Sequence, residues 1–477
     1  MNFNFKRISY FKILLLLSWL GLLASINSSP SDLKSLNLNF INIINFLRYL
    51  APIFIFFIFL VFFLINIKKL NLNYFFNFFI LLGIIQFISF FFNGYSIYEI
   101  ERYHILLGYF SAIFIVIFAY KIDLDFKNLY IILIVLLSAV VVAYIYALIK
   151  QISVTGKLNY FYFMFSGILQ NNEYGIIGQQ NPRSTGLSRQ MIIIFCFLFY
   201  LMNSLNSKKF LYFSIFVILF FLSLFIWGLQ SRGSLICFLV MWLVFLIFDT
   251  KKFLSKISLL LLLVFIPIFL FEYSINQQIK DETINVELSK KNLIITKKNR
   301  LTENQHFKVD VRVFDEKTGK YKVETRLDYT TGRIYIWKRA FEAFLKKPIL
   351  GYGPQGDRIA LLKNKTDIST NERHIWDNNA SNGLVYVGLC AGILGIMILL
   401  SIYLLFLINV LKSLFVLKVF KSSNFFIKNS VTIIIMFMIR SIYENSFTVM
   451  SIDYIAVLIS FSYIIKYIEK NNSRVVD

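Results

Sequence analysis

The chain reads as a succession of apolar stretches, most of them about 20 residues long, separated by short polar gaps. A helix of about that length is what crosses the hydrocarbon core of a bilayer. Stretches of this kind lie near residues 10–26, 44–66, 74–92, 103–120, 128–149, 188–205, 210–228, 233–249, 254–272, 381–410, 427–444 and 449–468. The expectation is therefore an all-α polytopic membrane protein with about 12 transmembrane helices. Composition supports it. With 58% hydrophobic and 16% charged residues, the chain has too few polar side chains to clothe a soluble fold of its length.

Charge distribution orients those spans. The formal net charge is +23, yet the lysines do not form one contiguous basic face. They cluster in every second gap: Lys6 and Lys12, Lys68 and Lys69, Lys121 and Lys127, Lys208 and Lys209, Lys251 with Lys252 and Lys256, Lys412 to Lys428, then Lys466 and Lys470. That alternation is the positive-inside pattern, so these gaps and both termini are expected in the cytoplasm. No nucleic-acid partner is expected, since that would need a continuous basic surface. Lys6, Arg7 and Lys12 before the apolar run Ile13 to Leu23, with Ala24–Ser29 after it, have the layout of a signal peptide. Followed by so many spans, the run is read as an uncleaved first helix. Cys196, Cys237 and Cys390 fall inside apolar stretches and are read as buried small residues.

Three parts follow from this layout. Residues 1–272 hold helices 1–9 with a medium outer loop at 150–187, where Phe161–Phe165 is too short to span and dips into the interface. Residues 273–380 form a large outer loop, and residues 381–477 hold helices 10–12 and a short tail. Within the large loop, Lys308 to Val313 and Tyr321 to Leu327 alternate polar and apolar residues around Asp315-Glu316-Lys317-Thr318-Gly319-Lys320, which predicts a β-hairpin. Apolar residues at Ile334, Trp337, Phe341, Phe344 and Leu345 then predict an amphipathic helix on the membrane surface, ended by Lys346, Lys347 and Pro348. The large loop thus contains a small α+β insertion. Gly351-Tyr352-Gly353-Pro354-Gln355-Gly356 lacks the Lys-Ser or Lys-Thr of a nucleotide loop and is read as a tight turn after that helix.

The outer gaps differ from the inner ones in kind. Their membrane-proximal cations are arginines: Arg102, Arg183, Arg189, Arg232 and Arg333, with Arg440 near the outer end of its span. Arginine presents a planar, permanently charged fork that matches phosphate oxygens through paired hydrogen bonds. Several at one face, against the positive-inside trend, point to an anionic ligand at the outer leaflet. Each taken alone also fits snorkelling to lipid headgroups or a local pair, such as Arg440 with Glu444. Arg183 and Arg189 open the sixth span and Arg232 starts the eighth, where backbone N–H groups also face a bound anion. His374, with Asp377 nearby, ends the large loop just before a span and is a candidate proton acceptor, while His104 and His306 are read as structural. Motifs for metal binding, serine hydrolysis and dinucleotide binding do not occur, so neither a metal nor a cofactor is expected. A transporter or flippase of lipid-linked oligosaccharides is the rival reading, but no duplicated halves are evident to support it.

Four short motifs in this order carry a resemblance: Arg183-x-x-Gly186-Leu187; Ser231-Arg232-Gly233; Gly332-Arg333-x-x-x-Trp337 running to Pro348-x-x-Gly351-x-Gly353; and Asn378 to Leu384 followed by Gly392-Ile393-Leu394-Gly395. Together with the topology they resemble the O-antigen ligase and O-antigen polymerase superfamily of bacterial membrane glycosyltransferases. The resemblance implies a GT-C-like helical fold in the bacterial inner membrane. It implies metal-independent, inverting transfer of a glycan from undecaprenyl diphosphate, on the periplasmic face, to lipid A-core, a lipid-linked repeat unit or a protein. It further implies a diphosphate grip by Arg183, Arg189, Arg232 and Arg333, with Arg333, His374 and Asp377 at the chemistry. Many members have His-Asn where this chain has Ser381-Asn382, so either His374 substitutes or no histidine is used. Glu173, His374 and Asp377 are the candidates for accepting the acceptor's proton.

Overall fold

The computed structural model describes residues 8–26, 40–66, 74–93, 100–155, 184–205, 209–229, 232–248, 259–270, 308–315, 320–327, 333–363, 380, 382–444 and 451–476. Among them the chain forms helices α1 (Ile8–Ser25), α2 (Phe40–Asn66), α3 (Tyr74–Phe92), α4 (Ile100–Lys121), α5 (Phe126–Thr155), α6 (Ser184–Ser204), α7 (Lys209–Gly228) and α8 (Arg232–Phe248). A helical segment at 259–270, here α9, contains a π turn at Leu261–Phe265. Strands β1 (Lys308–Asp315) and β2 (Lys320–Leu327) come next, then α10 (Arg333–Lys346), α11 (Gly356–Lys363), α12 (Gly383–Leu411), α13 (Phe425–Tyr443) and α14 (Ile452–Val476).

Each apolar stretch read from the sequence falls on one of these helices, but not all are long spans. Among the described residues, eight helices are long and apolar enough to cross a membrane. Tyr10–Ser25, Gly233–Phe248 and Leu261–Leu270 are shorter apolar helices. The fourth, α14, carries Asp453, Lys466 and Glu469 along its apolar length. The structure therefore supports eight spans by length and composition where the hydropathy pattern predicts about 12. The remaining four have helical backbone but not the full uncharged length.

Burial divides the bundle into centre and rim. Of the eight, α4, α6 and α13 are the most enclosed, at 78%, 72% and 67% buried, against 28% for α2 and 33% for α7. These three central helices are the ones that bear Arg102, Arg189 and Arg440. The core helix α14 packs on α13, α4 and α5. Tyr130 on α5 bonds Ser460 on α14 and accepts from Ser430 on α13 at 3.3 Å, while Tyr200 on α6 meets Thr432 on α13 at 2.8 Å. Ser460 and Thr432 also bond carbonyls one turn back, Ala456 O and Lys428 O, so the tyrosine hydroxyls add cross-helix links to groups already satisfied within their own helices.

The two ends of the bundle are chemically distinct. One gathers Lys127, Lys466 and Lys470 with the α4–α5 turn and the start of α13. The other gathers Arg102, Arg189 and Arg440 with the turn after α10. These are called the lysine end and the arginine end below. The strands β1 and β2 pair antiparallel, with Lys308 opposite Leu327 and Asp315 opposite Lys320, as the polar–apolar alternation predicts. Other parts of the insertion, including 273–307 and 364–379, lie outside the described residues, as does Phe161–Phe165.

Helix α12 departs from the single span expected at 381–410. At Gly392 the backbone leaves helical geometry, with φ 64° and ψ −159°. A side chain added at Gly388 would meet Ile396 at 3.0 Å, and one added at Gly383 would meet the Tyr403 hydroxyl at 3.2 Å. In a straight helix those pairs stand about 12 and about 30 Å apart along the axis. The chain therefore reverses at Gly392: a short helix, 383–391, lies back against the longer 393–411. The long arm continues through a π turn at Lys412–Val416, giving roughly 24 residues and about 36 Å, enough to span alone.

Candidate functional site at the arginine end

A reversal inside an apolar helix frees backbone groups that a bilayer cannot satisfy. Here the turn after α10 satisfies them. Tyr352 N–H donates to Leu389 O at 2.7 Å, Gly353 N–H to Cys390 O at 2.9 Å, and Ile393 N–H to Pro348 O at 2.7 Å. The turn is tight, as expected, with positive φ at Gly351, Gly353 and Gln355. Contact is so close that a Cβ at Gly392 would lie 2.0 Å from Ile349 O. Two sequence motifs separated by about forty residues, Pro348-x-x-Gly351-x-Gly353 and Gly392-Ile393-Leu394-Gly395, are thus two halves of one backbone knot.

Arg102 locks the knot to the bundle. Its Nε donates to Pro354 O at 2.5 Å, another guanidinium nitrogen donates to Tyr352 O, and its Cζ lies 4.7 Å from the centre of the Phe90 ring. Asn93 adds a bond to Gly351 O at 3.0 Å and accepts one from Lys347. Arg102 was expected among the outer cations facing an anion. The structure corrects that: it is 5% exposed and grips backbone carbonyls. The α10 side is fastened by Tyr352 OH to Ala343 O at 2.9 Å and by Trp337 Nε1 to Ala380 O at 3.1 Å. Asp357 accepts from Ala380 N–H at 3.3 Å. His104 is structural as read, stacked on Tyr49 at 4.2 Å with Nε2 2.7 Å from Tyr49 O.

A second cluster joins α6, α8, α13 and α14. Arg189 Nη1 and Arg440 Nη1 both reach the same oxygen, Asp453 Oδ2, at 3.0 and 2.6 Å. Asp453 is fully buried and Arg440 is 2% exposed, whereas Arg189 is 24% exposed. Arg440 Nη2 also lies 3.8 Å from Glu444 Oε2, the local pair that the sequence suggests. Helix ends assist. Asp453 stands in the first turn of α14 and Arg440 in the last turn of α13, where the helix dipole favours each charge. Glu444 in turn presses on the start of α8. A Cβ at Gly233 would lie 2.7 Å from Glu444 Cγ, and Ser234 Oγ meets Ser188 Oγ at 2.6 Å. The α8 N-terminus, headed by Arg232, is therefore seated directly on the ion cluster.

Chemically, this arrangement fixes cations in advance. A buried carboxylate committed to two guanidiniums is a positioning group, and it sets the orientation of the more accessible Arg189. Arg440 stays committed to Asp453 and Glu444. Of the residues expected to grip a diphosphate, the structure places Arg189 in this cluster with its side chain. Arg232 and Arg333 are described through their backbone, as the first residues of α8 and α10. Arg183, Glu173, His374, Asp377 and His306 lie outside the described residues. Asp453 was not singled out from the sequence. The signal was there: an acidic residue near the head of an apolar stretch is costly unless paired, and Arg189 and Arg440 were the cations available. Among the described residues no group of three or more His, Cys, Asp or Glu converges as for a metal ion. Cys196, Cys237 and Cys390 are buried and unpaired with one another.

Comparison with known proteins adds one finding. Residues 215–400 match the family model described as O-antigen ligase. The matched segment runs from within α7 through α8, the insertion and α10 to the long arm of α12, so it contains Arg232, Arg333 and both halves of the knot. It supports the resemblance to the O-antigen ligase and polymerase superfamily drawn from the sequence. No curated protein matches the chain significantly.

Proposed function

From a chain whose residues 215–400 match the O-antigen ligase family model, we propose a lipid-linked glycan transferase of the ligase or polymerase type. In this reading the donor is a glycan on undecaprenyl diphosphate, the acceptor is lipid A-core or another lipid-linked repeat unit, and the face is the periplasmic side of the bacterial inner membrane. The observation that carries it is the convergence of Arg189 and Arg440 on the buried Asp453, beneath the helix that Arg232 begins. As the sugar leaves, its anomeric carbon becomes oxocarbenium-like and the departing diphosphate gains charge. Guanidiniums oriented beforehand stabilise that charge without reorganising at the moment of reaction, which favours the transition state over the ground state.

Arg183, Arg189, Arg232 and Arg333 are the proposed diphosphate contacts, with Arg440 and Asp453 holding the set in place. His374 and Asp377 are the proposed groups near the acceptor hydroxyl, one of them taking its proton, with Arg333 between donor and acceptor. In this scheme the arginines supply the positive charge that a metal supplies in other transferases. The knot ties α10 to the core.

A deletion strain tests the reading. Lipid-linked glycan accumulating on the periplasmic leaflet is expected; accumulation on the cytoplasmic leaflet would assign a flippase instead. The same strain separates the two transferase types. Long chains lost with a single repeat retained indicates a polymerase. Glycan lost from lipid A-core while lipid-linked polymer builds up indicates a ligase.

A further inference from the structure

The glycan-transfer reading makes no use of the lysine end, which holds a cleft of about 460 Å³. Its walls come from the α4–α5 turn, the start of α13 and the last turns of α14. The turn is rigid. Ile122 N–H bonds Phe118 O at 3.0 Å, Leu124 N–H bonds Ala119 O at 2.9 Å, and Asp123 sits in the left-handed region with φ 53°. Lys466 is held rather than loose: it pairs with Asp123, donates to Leu124 O at 3.3 Å and lies 5.3 Å from the Phe126 ring centre. Lys127 lies 5.8 Å from the Phe426 ring and 3.9 Å from Asp125. Asn424 caps α13 through Phe426 N–H at 3.1 Å and donates to Tyr463 OH at 2.9 Å. Lys470, Tyr467 and Asn471 complete the wall.

Three lysines, two aspartates, two tyrosines and two asparagines line the cleft. The lysines suit a phosphodiester. The carboxylates and amides suit hydroxyl groups, which accept and donate in turn. The volume falls in the range of small-molecule sites. The N-termini of α5 and α13 open on the same side, adding two positive helix ends. The cleft also lies at the end of the bundle where headgroups of one leaflet are at hand.

We propose that this cleft binds the headgroup of an anionic phospholipid bearing free hydroxyls, a glycerol-phosphate type. The lysines hold the phosphodiester, and Asp123, Asp125 and Asn424 engage the hydroxyls. The aromatic side chains wall the headgroup from the bilayer side. Binding would pin the ends of α5, α13 and α14 at one depth in the membrane.

Full-length protein purified into detergent is loaded with phosphatidylglycerol or phosphatidylcholine and examined by native mass spectrometry. Wild type should retain phosphatidylglycerol selectively. Lys127→Gln with Lys470→Gln should weaken that retention about thirtyfold, from roughly 1 kcal/mol per surface lysine. Asn424→Asp, which keeps an N-cap but adds negative charge, should weaken it as well. Glycerol 1-phosphate should compete; inorganic phosphate should compete poorly. Three results would overturn the proposal. These are equal retention of the two lipids by wild type, equal phosphatidylglycerol retention by folded wild type and variants, and displacement by inorganic phosphate as efficient as by glycerol phosphate. Unchanged helical circular dichroism identifies variants that fold.

Discussion

Two guanidiniums on one buried carboxylate oxygen leave Asp453 with no neutral substitute. In Asp453→Asn the amide oxygen still accepts a hydrogen bond, but the charge that offsets Arg440 and Arg189 is gone. Removing one partner of a buried ion pair costs about 3–5 kcal/mol, so the purified variant should unfold well below wild type in a thermal melt. Unchanged melting would mean that the Asp453 ion pairs add no net stability. Gly233→Ala acts on the same cluster from the other side, because its Cβ would stand 2.7 Å from Glu444 Cγ. It should lower glycan transfer more than it lowers melting temperature, since it displaces the seat of Arg232 rather than a core side chain. At this scale the sequence was half legible. The arginines stood out because every second gap is written in lysine. Their partner did not, because pairing joins residues 264 and 13 positions apart and no local pattern records it.

At the scale of elements, the reversal at Gly392 and the turn that covers it form one unit. Gly392→Ala would need a positive φ and a Cβ 2.0 Å from a carbonyl oxygen, so it should cost well over the roughly 1–2 kcal/mol of a left-handed L-residue alone. The measurable outcome is loss of folded protein on size-exclusion chromatography. Arg102→Ala keeps the knot but frees its anchor. Losing charge-assisted bonds to Pro354 O and Tyr352 O should cost about 1.5–3 kcal/mol each at most and speed proteolysis around residues 351–356. Cleavage rates equal to wild type would show that α10 and α11 hold the turn without it. Hydropathy could not reveal the reversal, because residues 383–411 stay apolar throughout and a folded-back pair has the same composition as one straight span. The glycines at 392 and 395 were visible as a motif, but their reason is a close approach to a distant turn. The turn itself, the end of α10 at Lys346 and the hairpin pairing of 308–327 were readable because each rests on local spacing.

For the whole molecule, alternating lysine clusters predicted two chemically different ends, and the bundle has them. Spans were legible as apolar runs; how many run the full bilayer was not, since runs near 10–25, 233–248 and 261–270 form shorter helices. Side of the membrane is open to direct test. With all three native cysteines buried, single cysteines report cleanly. Asp125→Cys and Lys421→Cys, at the lysine end, should react with an impermeant maleimide only in inverted vesicles. Lys347→Cys, at the arginine end, should react in intact spheroplasts. Labelling of both ends from one side would overturn the orientation. The central claim is that arginines preset at one end stabilise a departing lipid diphosphate. Its most direct measurement is the surface-glycan profile of a deletion strain carrying wild type, Arg189→Ala, Arg189→Lys or Arg232→Ala at matched membrane levels. Wild type should restore the glycan, neither alanine variant should, and lysine at 189 should restore little because a point charge cannot bind the diphosphate in a paired fork. Full glycan from Arg189→Ala and Arg232→Ala would contradict the claim.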